Sequence, residues 1–356
     1  MLLLLGFSFT VFGQWSNGQV LSSYFDQSPF CNRTLSNVVN EAFWTNQVTS
    51  LLSCFDECNG RASCKTAAFD QTTNNCRLYQ ISPNEYDYTS VLTLPSDIYH
   101  MRKLCENGGS RINSNCVCIG GYVGSYCEKL MMDCSEGFES GHYTNQSGIF
   151  QIQPTAASSP FEVVCRMQEG GYTLIQLNDE YNTENFNQSW EQYKQGFGSL
   201  NRTHWLGLDH IHDITSSRTQ DAYVYIVDVM AQTPYLRKFV NFRVENESME
   251  YAMYYSSSEA VRGFNDLGDS LYNLVGQGFT TYDHDNDQSP TNCAQNYDVG
   301  FWYNWCALCN INGRMGISVN PGDVTEAHWL NDLGSYAVIK HIEIRLKRSM
   351  TGMPSL

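Results

Sequence analysis

Short-spaced cysteines limit what this chain can become more than any other feature. Fourteen cysteines stand in its 356 residues. Cys54, Cys58, Cys64 and Cys76 form one cluster and Cys105, Cys116, Cys118 and Cys127 another, the second too tight for the residues between them to bury a core. Such segments are held by disulfides in an oxidising compartment, or by zinc in a cytosolic protein. The start of the chain decides for disulfides. Leu2 to Phe12 is an apolar run closed by Gly13, which reads as a signal peptide over residues 1–13, although no positive charge precedes it. The run is too short to span a bilayer, and no later stretch reaches about 18 apolar residues, so the sequence implies a secreted, extracellular protein without an anchor. Five N-glycosylation acceptors agree: Asn32, Asn145, Asn187, Asn201 and Asn246.

A formal net charge of −16, with only 21 Lys plus Arg, argues against nucleic acid or an anionic membrane as partner, since both need a basic face. The hydrophobic share of 42% is enough for two or three domains with at least one sizeable core.

The chemistry concentrates between Phe279 and Gly313. Asp283, Asp285 and Asp287 alternate with His284 and Asn286, which puts three carboxylates within about 15 Å of extended chain. Such charges repel unless a cation neutralises them. Calcium, which takes six to eight oxygens and accepts backbone carbonyls, is the natural occupant. An EF-hand fails on count: from Asp283, Gln288 stands where that loop needs Gly and Ala294 where it needs Glu. Cys293 and Cys306 flank the run Phe301, Trp302, Tyr303 and Trp305, so a disulfide between them would close a short loop and fix its carbonyls and aromatics.

The order TYDHDND, NCA, WYNWC and NING, with this spacing, resembles the calcium and pocket region of the fibrinogen C-terminal domain family, whose members include ficolins and tachylectins. The resemblance continues upstream through Cys134 and Cys165, GGYTLIQ at 170–176, Phe186, Trp190, Tyr193, and WLGLDHIH at 205–212, giving a domain over 130–348. It implies a Cys134–Cys165 disulfide and calcium held by Asp285 and Asp287 with the carbonyls of Ser289 and Thr291, Asp283 lying just outside. It also implies a ligand pocket at Tyr297, Trp305, Cys306, Ala307 and Asp323, with a cis peptide between Trp305 and Cys306. The sequence departs from the family where Ala307 replaces a His and Asp323 stands at the position of a Tyr. The acetyl-recognition set is thus incomplete, and Asp323 would favour a cation or hydroxyl donors, as in a basic peptide or an amino sugar lacking its acetyl group.

Upstream, Val48, Leu51, Leu52 and Phe55 recur at helical spacing over 46–58, followed by strand-like KTAAF and RLY. Residues 25–104 resemble a PAN/apple domain, a resemblance that implies Cys54–Cys76 and Cys58–Cys64. Residues 105–128 are similar to an EGF-like module lacking its first and third cysteines, which implies Cys105–Cys116 and Cys118–Cys127. Cys31 and Cys309 are left over. Their options are to bridge each other, to stay free or to link chains into a disulfide-linked homo-oligomer, and Cys31 has a further option in Cys105, which would orphan Cys116. YVYIVDVM at 223–230 reads as a largely buried strand, and the alternation from His341 to Lys347 as a strand with one wet face. The fold class is α+β, multidomain and disulfide-rich.

For an enzyme the candidates are His284 among aspartates and the redox spacing of Cys306 and Cys309, but no GxSxG, HExxH or P-loop pattern supports them, so catalysis is not expected. Two functions fit. One is a calcium-dependent, lectin-like recognition protein of the innate-immune kind, binding carbohydrate or acetylated or amino-sugar ligands beside the calcium loop; the other is an extracellular matrix or signalling ligand that binds protein partners. Trp302 and Trp329 read as core, Tyr297 as pocket wall.

Overall fold

The computed structural model describes residues 44–349 apart from 60, 62–63, 65, 71–72, 80–97, 103–104, 113–114, 182–183, 232, 316–322, 332 and 334–337. The signal peptide read at 1–13, Cys31 and the Asn32 acceptor lie outside the described residues. The chain divides into two compact units, residues 1–117 and 118–356.

In the first unit, β1 (Trp44–Gln47), the helix Leu51–Asn59, β2 (Thr66–Asp70), β3 (Asn75–Tyr79) and β4 (Ile98–Arg102) give an antiparallel sheet in the order β1-β3-β2-β4. The helix expected from residue 46 starts later. Residues up to Gln47 pair with β3 instead, and Ser50 then caps the helix, its hydroxyl accepting the N–H of Ser53 at 3.1 Å and its carbonyl that of Cys54 at 3.2 Å. Disulfides Cys54–Cys76 and Cys58–Cys64 pin that helix, and Ala67, Phe69 and Leu78 complete a core too small to hold by packing alone. A hairpin of β5 (Ser110–Ile112) and β6 (Asn115–Val117) follows, with Cys105 joined to Cys116.

The second unit opens with a hairpin of β7 (Tyr122–Val123) and β8 (Lys129–Leu130), braced by Cys118–Cys127. Its centre is a ten-stranded antiparallel sheet: β9 (Gly148–Ile152), β10 (Phe161–Arg166), β11 (Tyr172–Asp179), β12 (Phe197–Gly198), β13 (His204–Trp205), β14 (Gln220–Asp228), β15 (Tyr235–Val244), β16 (Met253–Tyr254) and β17 (Ser257–Ala260) are joined by a strand from much later in the chain. Between lie two short pairs, β18 (Phe279–Thr280) with β19 (Phe301–Trp302), and β20 (Cys309–Asn310) with β21 (His328–Trp329). The late strand, β22 (Ile339–Arg348), enters between β11 and β14. Cys134–Cys165 ties the helix Cys134–Glu139 to β10, and Arg348 at the end of β22 holds Asp133, the N-cap of that helix, at 3.1 Å.

Two expectations about these strands are corrected. The buried strand read to residue 230 stops at Asp228, whose carboxylate accepts the N–H groups of Met230 and Val338 at 3.3 and 3.1 Å and turns Val229 and Met230 out to solvent. The face of β22 expected to be wet is largely covered: Glu343 and Arg345 are only 1% and 6% exposed. They can be buried because they neutralise one another. Glu343 accepts from Arg345, from Arg166 at 2.6 Å and from His341 at 2.9 Å, while Arg345 also reaches Glu169 at 2.6 Å and lies 4.3 Å over the ring of Tyr225. Trp302 and Trp329 are core, their indole N–H groups donating to the carbonyls of Tyr251 and Leu267. The acceptors Asn145, Asn187, Asn201 and Asn246 are exposed.

Burial alone would raise the Glu343 carboxyl, but the His341 hydrogen bond and the Arg345 and Arg166 charges more than reverse this and pull it from 4.5 down to about 2. A depressed carboxylate contributes stability that is fully present above its unfolded value and is lost as pH falls through the folded one. Glu343→Gln should cost about 3 kcal/mol at pH 7. Denaturant titrations should show the gap to the native protein closing between pH 4.5 and 2; an unchanged gap at pH 2 would show that the charge is not what stabilises.

Candidate functional site

The acidic loop is an excursion whose two ends are fastened together. Phe279 pairs with Trp302 and Thr280 with Phe301, so β18 and β19 close its neck on buried aromatic rings. At Gly300 a Cβ would stand 2.5 Å from the Tyr193 ring, a contact no side chain tolerates, while the Gly300 N–H donates to the Tyr193 hydroxyl at 3.1 Å. Inside the loop, Asn292 caps the helix Cys293–Tyr297 by accepting the Gln295 N–H at 3.0 Å, and Cys293 is joined to Cys306.

Within this frame the alternating residues separate by role. His284 and Asn286 turn to Glu250, at 3.1 and 3.3 Å from its carboxylate. Asp283 accepts from the Thr281 hydroxyl at 2.7 Å and the Trp190 backbone N–H at 2.9 Å, both on Oδ1. Asp285 and Asp287 stay with the far half of the loop. Asp285 accepts the Asp287 N–H at 3.3 Å, Asp287 accepts those of Ser289 and Cys293 at 2.8 Å each, and the hydroxyls of Ser289 and Thr291 lie 3.5 Å apart. Burial pushes the Asp287 carboxyl up, and the negative charge of Asp285 adds to this against the two backbone donors. Two carboxylates so placed repel, and their donor set is of hard oxygen. Among the described residues no three His, Cys, Asp or Glu side chains converge to hold a metal, so a cation here must draw on backbone carbonyls as well.

The pocket residues expected from sequence come together only in part. Tyr297 is buried, and its hydroxyl donates to the Ala307 carbonyl at 2.9 Å. Trp305 is instead 73% exposed. No cis peptide occurs among the described residues, so the one expected before Cys306 is absent; Cys306 takes a left-handed φ of 57° and the chain turns there, the Asn304 N–H donating to the Cys306 carbonyl at 3.2 Å. Asp323 is engaged in its own turn, accepting the Thr325 N–H and hydroxyl at 3.0 and 2.8 Å and lying 3.5 Å from Arg314, contacts that hold its carboxyl below the usual range.

Sequence reasoning missed His328. Paired through β20 and β21 with Asn310, it stands with its ring 6.0 Å from that of Tyr297. Its Nδ1 donates to the Glu326 carbonyl at 2.9 Å, and burial lowers its pKa, so Nε2 is left as a neutral acceptor beside the wall where the histidine absent at Ala307 was expected. Trp190 and Glu250 were missed as supports of the loop. Only β-pairing and packing across long stretches of chain bring them there, and local spacing carries no trace of that.

Residues 130–349 match the family profile described as the C-terminal globular domain of fibrinogen beta and gamma chains. The chain belongs to this family. Residues 30–105 match the PAN domain. Mouse angiopoietin-4 is 34% identical over 52% of this chain and 35% of its own length, and bovine fibroleukin 34% over 52% and 42%. The chain therefore spans well under half of these relatives. The fibrinogen-like globe domain of human ANGPTL2 superposes with a TM-score of 0.56 at 30% identity, over 61% of this chain and 99% of that one. In this fibrinogen-type domain, as among all the described residues, no helix is long and apolar enough to cross a membrane.

Cys309, one of the two leftover cysteines, is free and fully buried in the domain, its sulfur 3.8 Å from the Ser270 carbonyl, and burial pushes its thiol pKa up. Of the options open to Cys309, its burial as a free thiol fits the unpaired one. Iodoacetamide should leave Cys309 unmodified in the native protein and label it in guanidinium, as read by peptide mass; rapid native labelling would contradict its enclosure.

Proposed function

We propose that this is a secreted, non-catalytic recognition protein that binds extracellular protein partners through its fibrinogen-type domain. The observation that carries the reading is the state of the expected acetyl pocket. Tyr297 is packed and its hydroxyl spent on Ala307, Asp323 is committed to Thr325, and Trp305 presents its ring to solvent beside the loop. An exposed tryptophan on a disulfide-braced loop suits the buried anchor of a protein interface better than a small enclosed sugar site. Its relatives support this: angiopoietins, fibroleukins and a tenascin are signalling and matrix proteins, not enzymes. Panels of extracellular receptor domains and of glycans, probed in millimolar calcium, separate the two functions. Binding to a receptor domain that falls at least tenfold in Trp305→Ala, without N-acetylated glycan binding, is the expected outcome; glycan binding alone would reverse the choice.

The carbohydrate reading keeps one support. His328, half-buried beside Tyr297, offers a neutral acceptor, which suits a sugar hydroxyl or an amino sugar.

We also propose that the loop holds calcium through the carboxylates of Asp285 and Asp287 and the carbonyls of Ser289 and Thr291. The donor set fits, since among the described residues no hydrogen bond ends on either carbonyl, and the two adjacent carboxylates call for a cation. Bound calcium would neutralise that repulsion and stiffen the loop that carries Trp305. Asp287→Ala should abolish the rise in melting temperature that millimolar calcium gives the native protein; equal melting temperatures of the two proteins in calcium would remove Asp287 from the site.

A further inference from the structure

The acidic loop is asymmetric in what holds it. Its far half, from Asp287 to Cys293, is organised by its own backbone donors and by the Cys293–Cys306 disulfide. The near half is fastened to a different part of the domain. Asp283 accepts the N–H of Trp190, the first residue of the helix Trp190–Gln195, at 2.9 Å, and the next residue, His284, stacks on the Trp190 ring at 4.1 Å and 18°. That ring is fixed from its other side. Trp190 Nε1 donates to Glu247 at 3.1 Å, Lys194 of the same helix holds Glu247 at 2.6 Å, and the Tyr251 ring lies 5.5 Å away. The 247–251 segment is also where Glu250 receives His284 and Asn286.

We propose that Asp283 is the positioning residue of the cation loop. By fastening the near half to the Trp190 backbone it orders the stretch that leads into Asp285 before a cation binds. Both hydrogen bonds fall on its Oδ1, which ties that oxygen to Trp190 and Thr281. This rests on the calcium reading given above.

The test uses the full chain and calcium alone, with affinity measured by calorimetry. Asp283→Asn keeps an oxygen that can accept both hydrogen bonds but removes the charge, whereas Asp283→Ala removes both. Asp283→Ala should bind calcium about tenfold more weakly, Asp283→Asn within about threefold of native, and Asp287→Ala not measurably. Trp190→Phe keeps the backbone N–H that Asp283 accepts and should bind calcium with close to native affinity. Equal losses in Asp283→Asn and Asp283→Ala would overturn the positioning role in favour of simple charge. Native affinity in Asp283→Ala would overturn it outright while leaving the calcium reading intact. Absence of calcium binding by the native protein would overturn both.

Discussion

The hydrogen bonding of β22 on both its edges is the constraint from which the second unit follows. Its residues 339–348 complete the sheet between β11 at 172–179 and β14 at 220–228, so the middle of the sheet cannot form until the chain beyond the acidic loop is present. Everything from β15 to β21 is then an excursion returned to a fixed frame. This is a contact pattern of high sequence separation, and closing such loops before the pairing rewards them makes folding slow. It also explains why charges are tolerated on the central strand: Glu343 and Arg345 find their partners on β10, β14 and the segment after β10, which the sheet itself brings together.

Local features were readable where a short stretch determines its own structure. The cysteine spacing in the first unit, the strands at 66–70 and 75–79, and the buried Trp302 and Trp329 all follow from periodicity, turn residues or ring size. What the sequence concealed depends on distant partners. Alternation over 341–347 identified a strand but not which neighbours would cover its charged face, since period two reports only that faces differ. The helix expected from residue 46 gave way to a strand because β3 offered edge hydrogen bonds to Trp44–Gln47, a tertiary choice that helical spacing cannot anticipate.

The candidate site divides in the same way. Asp285 and Asp287 were legible in a run of alternating carboxylates, whereas Ser289 and Thr291 entered only through the resemblance. The pocket was legible only by resemblance, and it is there that the structure differs most: Trp305 turns outward, the peptide before Cys306 is trans, and Asp323 serves its own turn. His328 reaches Tyr297 by way of a strand pair 18 residues apart in sequence, from Asn310 to His328, and no spacing rule would have chosen it.

The enclosure of Cys309 bears on how this domain acquires its disulfides. Cys293 must find Cys306 and not the thiol three residues further on, although lengthening the loop by that amount changes its closure entropy by only about 0.2 kcal/mol. Chain statistics therefore hardly discriminate between the two. Pairing of β20 with β21 does, because it buries Cys309 against Ser270 and leaves Cys306 at the turn. Oxidation that outruns this pairing would trap a shuffled isomer, so fidelity here is a race between strand docking and thiol chemistry, one that a disulfide isomerase would rescue.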